Sequence, residues 1–207
     1  DPLDPKRMSR VEITWDEMWA QPEVIRNTLA QEAQAIQAAA EHFAKRPIER
    51  IVMTGCGDSI ASMMSVKLAY ERLLGVQTDT LQALDFAYYQ HATVNERTLV
   101  ICLSSSGATT RTIEAMMVAR MHGAQTLTLS NTPGSVLMNE ADLGLLIHAQ
   151  RKGWPTQSST AAMATLMQFL VAYAQASGKE AGKIAEYQAA LEQTPTLMKQ
   201  VLEACKE

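Results

Sequence analysis

Five hydroxyls crowd into seven residues: Ser104, Ser105, Ser106, Thr109 and Thr110, with Gly107 among them. The run follows an apolar stretch, Thr98 to Leu103, and precedes helical spacing from about Thr109 to His122. Serine is a weak strand former and a good anion partner. Gly107 allows backbone N–H groups to come close to a ligand. A helix that opens at Thr109 turns free N–H groups and a positive dipole end into the same space. Together these groups suit a phosphate, with no lysine required. A single serine acting as helix N-cap is the ordinary alternative. Three serines and a glycine exceed what a cap needs.

A second polar loop, "GCGDSIA", follows the short apolar run Ile51 to Thr54. Gly55 and Gly57 suit a tight turn, while Asp58 and Ser59 offer a carboxylate and a hydroxyl to sugar hydroxyls. The spacing imitates a dinucleotide fingerprint, with Asp79 in the position of a ribose acid. However, the complete Gly-x-Gly-x-x-Gly is absent, and Asp58 would repel a pyrophosphate. Cys56 lies between the two glycines with no neighbouring cation to make it a thiolate nucleophile. A third loop, "GWPTQSST", opens a very apolar helix and reads equally as a cap or as a ligand rim. His42, His91, His122 and His148 are dispersed without metal-type spacing, so each reads as a surface or capping residue. His91, in "YYQHATVNE", is the least ordinary. No metal and no cofactor is expected.

These loops need elements to position them. Ile25, Leu29, Ile36, Ala40 and Phe43 mark a helix, with Pro22 in its first turn. Strands are predicted at Ile51–Thr54, Gln77–Leu81, Thr98–Leu103, Gln125–Leu129 and Leu143–His148. Helical spacing at Ile60, Met63, Met64, Leu68 and Leu73 separates the first two strands. Met63, Met64, Met116, Met117, Met163 and Met167 read as core. Further helices are predicted at Ser158–Ala176 and Ala181–Glu192, with Thr194 capping a last turn and helix at Pro195. Short apolar strands alternating with helices predict an α/β fold: a parallel sheet of about five strands with helices on both faces, a flavodoxin-like three-layer sandwich. In such sheets ligands bind at the carboxyl ends of the strands. The serine loop and the "GCGDS" loop therefore share one edge.

The hydrophobic fraction of 47% fills a sizeable core, and the net charge of −4 argues against nucleic acid. Cys56, Cys102 and Cys205 cannot all pair, which suits a reduced cytoplasmic protein. The first residues, "DPLDPKRMSR", lack the apolar core of a signal peptide, and Ala161–Ala176 is too short and polar for a membrane span. Residues 1–20 read as an N-terminal extension, part of it an expression remnant ahead of Met8, and 21–207 as a single domain. Met163, Leu166, Leu170 and Ala174 lie on one side of the penultimate helix, Phe169 and Tyr173 on another. One sheet covers only one of these, which predicts a second partner.

"MTGCGDS" and "LSSSGATTRTIEAMMVARMHGAQTLTLSNTPGSVLMNEADLGLLIHA", after the entry helix "EMWAQPEVIRNTL", resemble the SIS (sugar isomerase) domain family. The match is best to its two-domain branch, which includes the isomerase half of glucosamine-6-phosphate synthase and related phosphosugar isomerases, deaminases and deglycases. The resemblance implies that Ser104, Ser105, Ser106, Gly107 and Thr109 bind the phosphate of a phosphosugar. It implies that Gly57 and Ser59 face the sugar, and that Ser158 or Ser159 belongs to the rim. Ser105 stands where the family often has Gln, and Ala108 where it often has Glu. Arg151 and Lys152 stand in a region where relatives often have Glu. The resemblance implies an enzyme acting on an amino-sugar or Amadori-type sugar phosphate. Its catalytic Glu, His and Lys would come from a tandem second SIS domain or a homodimer partner, beyond Glu207 or across an interface. The alternatives are a non-catalytic sugar-phosphate sensor and, less favoured, a dinucleotide-binding protein.

Overall fold

The computed structural model describes residues 4–205; residues 1–3 of the N-terminal extension, and residues 206–207, lie outside that range. Five strands form one parallel sheet: β1 (Arg50–Gly55), β2 (Gln77–Gln82), β3 (Thr98–Leu103), β4 (Gln125–Ser130) and β5 (Leu143–Leu146). Their order is β2-β1-β3-β4-β5, with every neighbouring pair parallel. The chain reverses its direction of winding between β1 and β3, so the loops after these two strands flank the switch point.

Alternation along the strands divides the core in two. Ile51, Met53, Leu99, Ile101 and Leu103 face α1 (Pro5–Phe43), α2 (Asp58–Leu74) and α6 (Gln157–Ala176). Val52, Val100 and Cys102 face the other layer. That layer holds α3 (Ala83–Asp85), a π-helical turn at Phe86–Gln90, α4 (Thr110–Met121) and α5 (Val136–Glu140). A last helix, α7 (Ala181–Ala204), packs on α1 and α6. The predicted strand positions and the three-layer arrangement are those observed, with β5 ending at Leu146 rather than His148.

Several local expectations are overturned. Pro22 lies in the middle of α1, not in its first turn. A proline removes one N–H and frees the carbonyl four residues back. Here that carbonyl belongs to Met18, and the Gln21 amide donates to it at 3.0 Å. Pro195 lies inside α7, and Thr194 is not a cap: its hydroxyl donates to the Ala190 carbonyl at 2.9 Å. Met63 and Met116 are core, but Met64 and Met117 face solvent, as does Leu68.

The second apolar face of α6 is covered from within the chain. Helices α1, α2 and α7 all pack on α6, and Phe43 of α1 meets Phe169 edge-on at 6.2 Å. The Tyr70 hydroxyl of α2 donates to the Leu166 carbonyl at 2.7 Å. This removes the apolar-face reason for expecting a partner there. Among the described residues no helix is long and apolar enough to cross a membrane.

Candidate functional site

The serine loop leaves β3 at its carboxyl end and enters α4. Ser104 is buried, and its hydroxyl pairs with that of Thr109 at 2.9 Å across the turn. Gly107 has φ +63, and a Cβ there would fall 2.0 Å from the Ser135 hydroxyl. Only glycine fits this turn. Ser106 is exposed, and its hydroxyl accepts from the Ala108 N–H at 3.3 Å.

No side chain caps α4. The simple capping reading of the serines therefore fails. Among the described residues the N–H groups of Ser106, Thr109 and Thr110 find no acceptor. Unmet donors at an uncapped helix start have the chemistry to receive an anion. Helices α2 and α6 also begin without a side-chain cap, at Gly57 and Thr156. Their first residues meet beside the serine loop: Asp58, Ser59, Ser105, Ser158 and Ser159 line one cleft, together with Arg151. A wider cleft, about 550 Å³ and partly open to solvent, is lined by Ser105, Ser106, Asn131, His148 and Arg151. That is the size of a small-molecule site.

Ser59, Ser105, Ser106 and Ser158 are thus brought to one edge. Ser104, Gly107 and Thr109 shape the loop from below, and Gly57 forms the exposed entry to α2. Three contributors were not among the candidates. Arg151 is one, standing at both clefts. Asn131 is another: its side chain donates to the Ser105 hydroxyl at 3.0 Å and accepts from the Ala149 N–H at 3.1 Å. His148 is the third. It has the one positive φ (53°) of any non-glycine among the described residues, and its Nε2 lies 2.6 Å from the Glu32 carboxylate. Glu32 belongs to α1, 116 positions away, so no local pattern could reveal the pair.

His91 lies elsewhere. Its segment leads into the start of β3, and the neighbouring Thr93 hydroxyl is bonded by Arg50 at the start of β1. This is the amino edge of the sheet, where the His91 and His122 rings meet at 5.0 Å. Asp79 is bound by Arg50 at 2.8 Å and by Gln77 at 3.1 Å. Its carboxylate is committed within the sheet, which counts against the role of ribose acid. Cys102 is buried, and burial pushes its thiol up to about 12. Among the described residues no group of three His, Cys, Asp or Glu could hold a metal ion.

Comparison with known proteins gives one consistent result. A family model described as "SIS domain" matches residues 45–172, more than half of the chain. The glutamine–fructose-6-phosphate aminotransferase (isomerizing) of Methanothermobacter thermautotrophicus is 31% identical over 187 residues, covering 90% of this chain and 30% of that protein. The Aquifex aeolicus protein of the same name is 30% identical over 191 residues, covering 92% of this chain and 31% of that protein. The chain therefore spans less than a third of the length of these relatives. Among solved structures, the C-terminal domain of glucosamine-fructose-6-phosphate aminotransferase from Francisella tularensis matches with a TM-score of 0.78 and 23% identity. That match covers 87% of this chain and 53% of the other.

Proposed function

Because the chain belongs to the SIS domain family, we propose that it binds a sugar phosphate at the carboxyl edge of its sheet, with the phosphate on the serine loop. One observation carries the reading: α4 opens without a side-chain cap, and the N–H groups of Ser106, Thr109 and Thr110 lack acceptors. The hydroxyls of Ser105 and Ser106 and the Arg151 guanidinium supply the remaining donors. The sugar then extends toward Ser59, Asp58 and Ser158, where its hydroxyls meet hydroxyl and carboxylate partners. Asp58 sits in the first turn of α2, where the helix dipole favours its charge.

We read the chain as part of an isomerase, deaminase or deglycase of an amino-sugar or Amadori-type sugar phosphate. The relatives' names, which join fructose-6-phosphate to amine transfer, support this. A homodimer or a tandem second SIS domain would complete such a site.

Thermal stabilisation tests the reading. Fructose-6-phosphate should raise the melting temperature, whereas fructose and NAD should not. Ser106→Ala should reduce the shift. Stabilisation by NAD but not by fructose-6-phosphate would overturn the assignment.

A further inference from the structure

A separate cleft, about 530 Å³, lies between α1 and the segment that runs from β5 into α6. The sugar-phosphate reading leaves it unused. Ile13, Glu17, Ala20 and Val24 recur at steps of four, three and four along α1, so one face of that helix forms a wall. His148, Gln150, Lys152 and Gln157 form the other. The walls are tied together. The Lys152 N–H donates to Glu17 Oε1 at 2.6 Å, and the Trp154 N–H to the Thr14 hydroxyl at 2.8 Å.

Two buried side chains line this cleft with an acceptor unmet. Glu17 is 6% exposed, and its Oε2 meets no hydrogen-bond donor. Burying a carboxylate oxygen unpaired is costly, and such an atom in a folded chain calls for an explanation. Gln157 is 5% exposed. Its Nε2 donates to the Gln150 carbonyl at 2.9 Å, which leaves its Oε1 without a donor among the described residues. Asp16, exposed, adds a second carboxylate. Lys152 gives Glu17 its N–H and not its ammonium, which forms no ion pair among the described residues.

The lining selects among ligands. Its carboxylates repel an anion. A metal ion needs more ligands: no group of three His, Cys, Asp or Glu among the described residues could hold one. A guanidinium pairs best with both oxygens of a carboxylate, and the Lys152 N–H already occupies Oε1. An ammonium has three single donors, and Glu17 Oε2, Gln157 Oε1 and Asp16 supply three acceptors. Ile13, Ala20 and Val24 offer an apolar wall to a hydrocarbon stem. We propose that this cleft receives a primary alkylammonium group, with Glu17 as its counter-ion. His148 and Gln150 line both this cleft and that of Ser105 and Ser106. The amine is therefore carried by the phosphorylated ligand beside it or arrives as a separate molecule, and the recognising chemistry is the same. The proposal does not depend on the sugar-phosphate reading.

NMR titration of the full chain with n-butylammonium tests it, with n-butanol as the uncharged match. Butylammonium should shift the backbone amides of Lys152 and Gln157, and butanol should not. Glu17→Gln keeps an acceptor for the Lys152 N–H but removes the charge. It should weaken butylammonium binding by about 10-fold or more. Ala20→Leu adds bulk to the apolar wall at an exposed helix position, where leucine is a good helix former. It should abolish the shifts with the melting temperature unchanged. A fructose-6-phosphate derivative with 1,4-diaminobutane joined through one nitrogen at C1 separates the two sources. A gain in affinity of about 10-fold or more over fructose-6-phosphate, lost in Glu17→Gln, assigns the amine to the phosphorylated ligand. No gain, with butylammonium still bound, assigns it to a separate molecule. No response to butylammonium, an equal response to butanol, or undiminished binding in both variants would overturn the proposal. Failure of fructose-6-phosphate to bind would overturn the sugar-phosphate reading and leave the butylammonium titration to decide this one.

Discussion

Asn131 holds Ser105 from behind. Its side-chain oxygen accepts from the Ala149 N–H at 3.1 Å, and its side-chain nitrogen donates to the Ser105 hydroxyl at 3.0 Å. The backbone N–H can only donate, so it fixes which way the amide points. The Ser105 hydroxyl is therefore an acceptor toward Asn131, and its own proton is free for a ligand.

Asn131→Asp should reverse that logic. The introduced carboxylate still accepts from Ala149, so the fold should survive with a small change in melting temperature. Ser105 must then donate to that carboxylate rather than to the ligand, and a negative charge enters the cleft. Affinity for fructose-6-phosphate should fall by about 10-fold or more, the cost of a lost charged hydrogen bond. Unchanged affinity by calorimetry would refute the role given to Ser105.

Ser104 and Ser106 should separate. Ser106 is exposed, so Ser106→Ala should leave stability unchanged while weakening phosphosugar binding by about 1–3 kcal/mol. Ser104 is buried and paired with Thr109. Ser104→Ala should lower stability by about 1 kcal/mol as well as affinity. Denaturant melts and calorimetry on both variants decide the matter.

Two glycines with nearly the same φ should respond differently to alanine. At Gly134, φ +64, a Cβ meets nothing within 4 Å, so Gly134→Ala should cost only the backbone strain of about 1–2 kcal/mol. At Gly107, φ +63, the Cβ would collide with Ser135. Overpacking should add about 1–3 kcal/mol to the strain. Equal losses in the two variants would show that Ser135 gives way freely.

The three thiols should react in order of access. Cys205 is exposed and Cys56 half-buried. Cys102, pushed up to about 12 by burial, should react only after unfolding. The unfolded thiol ionises in the ordinary range while the folded one stays protonated. The stability that Cys102 contributes is therefore present below the ordinary thiol range and is lost as pH rises toward 12. Timed thiol labelling in native buffer and in denaturant reads the order.

The strand at Thr98–Leu103 was legible because a short, mostly apolar run between turn residues admits little else, and Gln125–Ser130 because its Thr and Leu alternate with the period of a strand. The geometry of the serine loop was legible because its hydroxyls, glycine and helix start are neighbours in sequence. The ends of helices were less so. Pro22 and Pro195 read as boundaries because proline removes a hydrogen bond. At Pro22 a side chain, Gln21, takes over the freed carbonyl, and tertiary packing carries both helices through. Likewise, α6 looked as if it needed a partner, because a sequence shows how apolar a helix is and not how many helices of its own chain surround it.

What only the tertiary structure decided is what lies beside the loop. Arg151, Asn131 and His148 reach it from the ends of β4 and β5. Glu32 reaches His148 from a helix more than a hundred residues earlier. Hydrophobic periodicity records which face of an element is buried, and motif spacing records chemistry that neighbours in sequence perform together. Neither records which charged groups a parallel sheet collects at its carboxyl edge. That depends on strand order, and strand order is set by the packing of the whole chain.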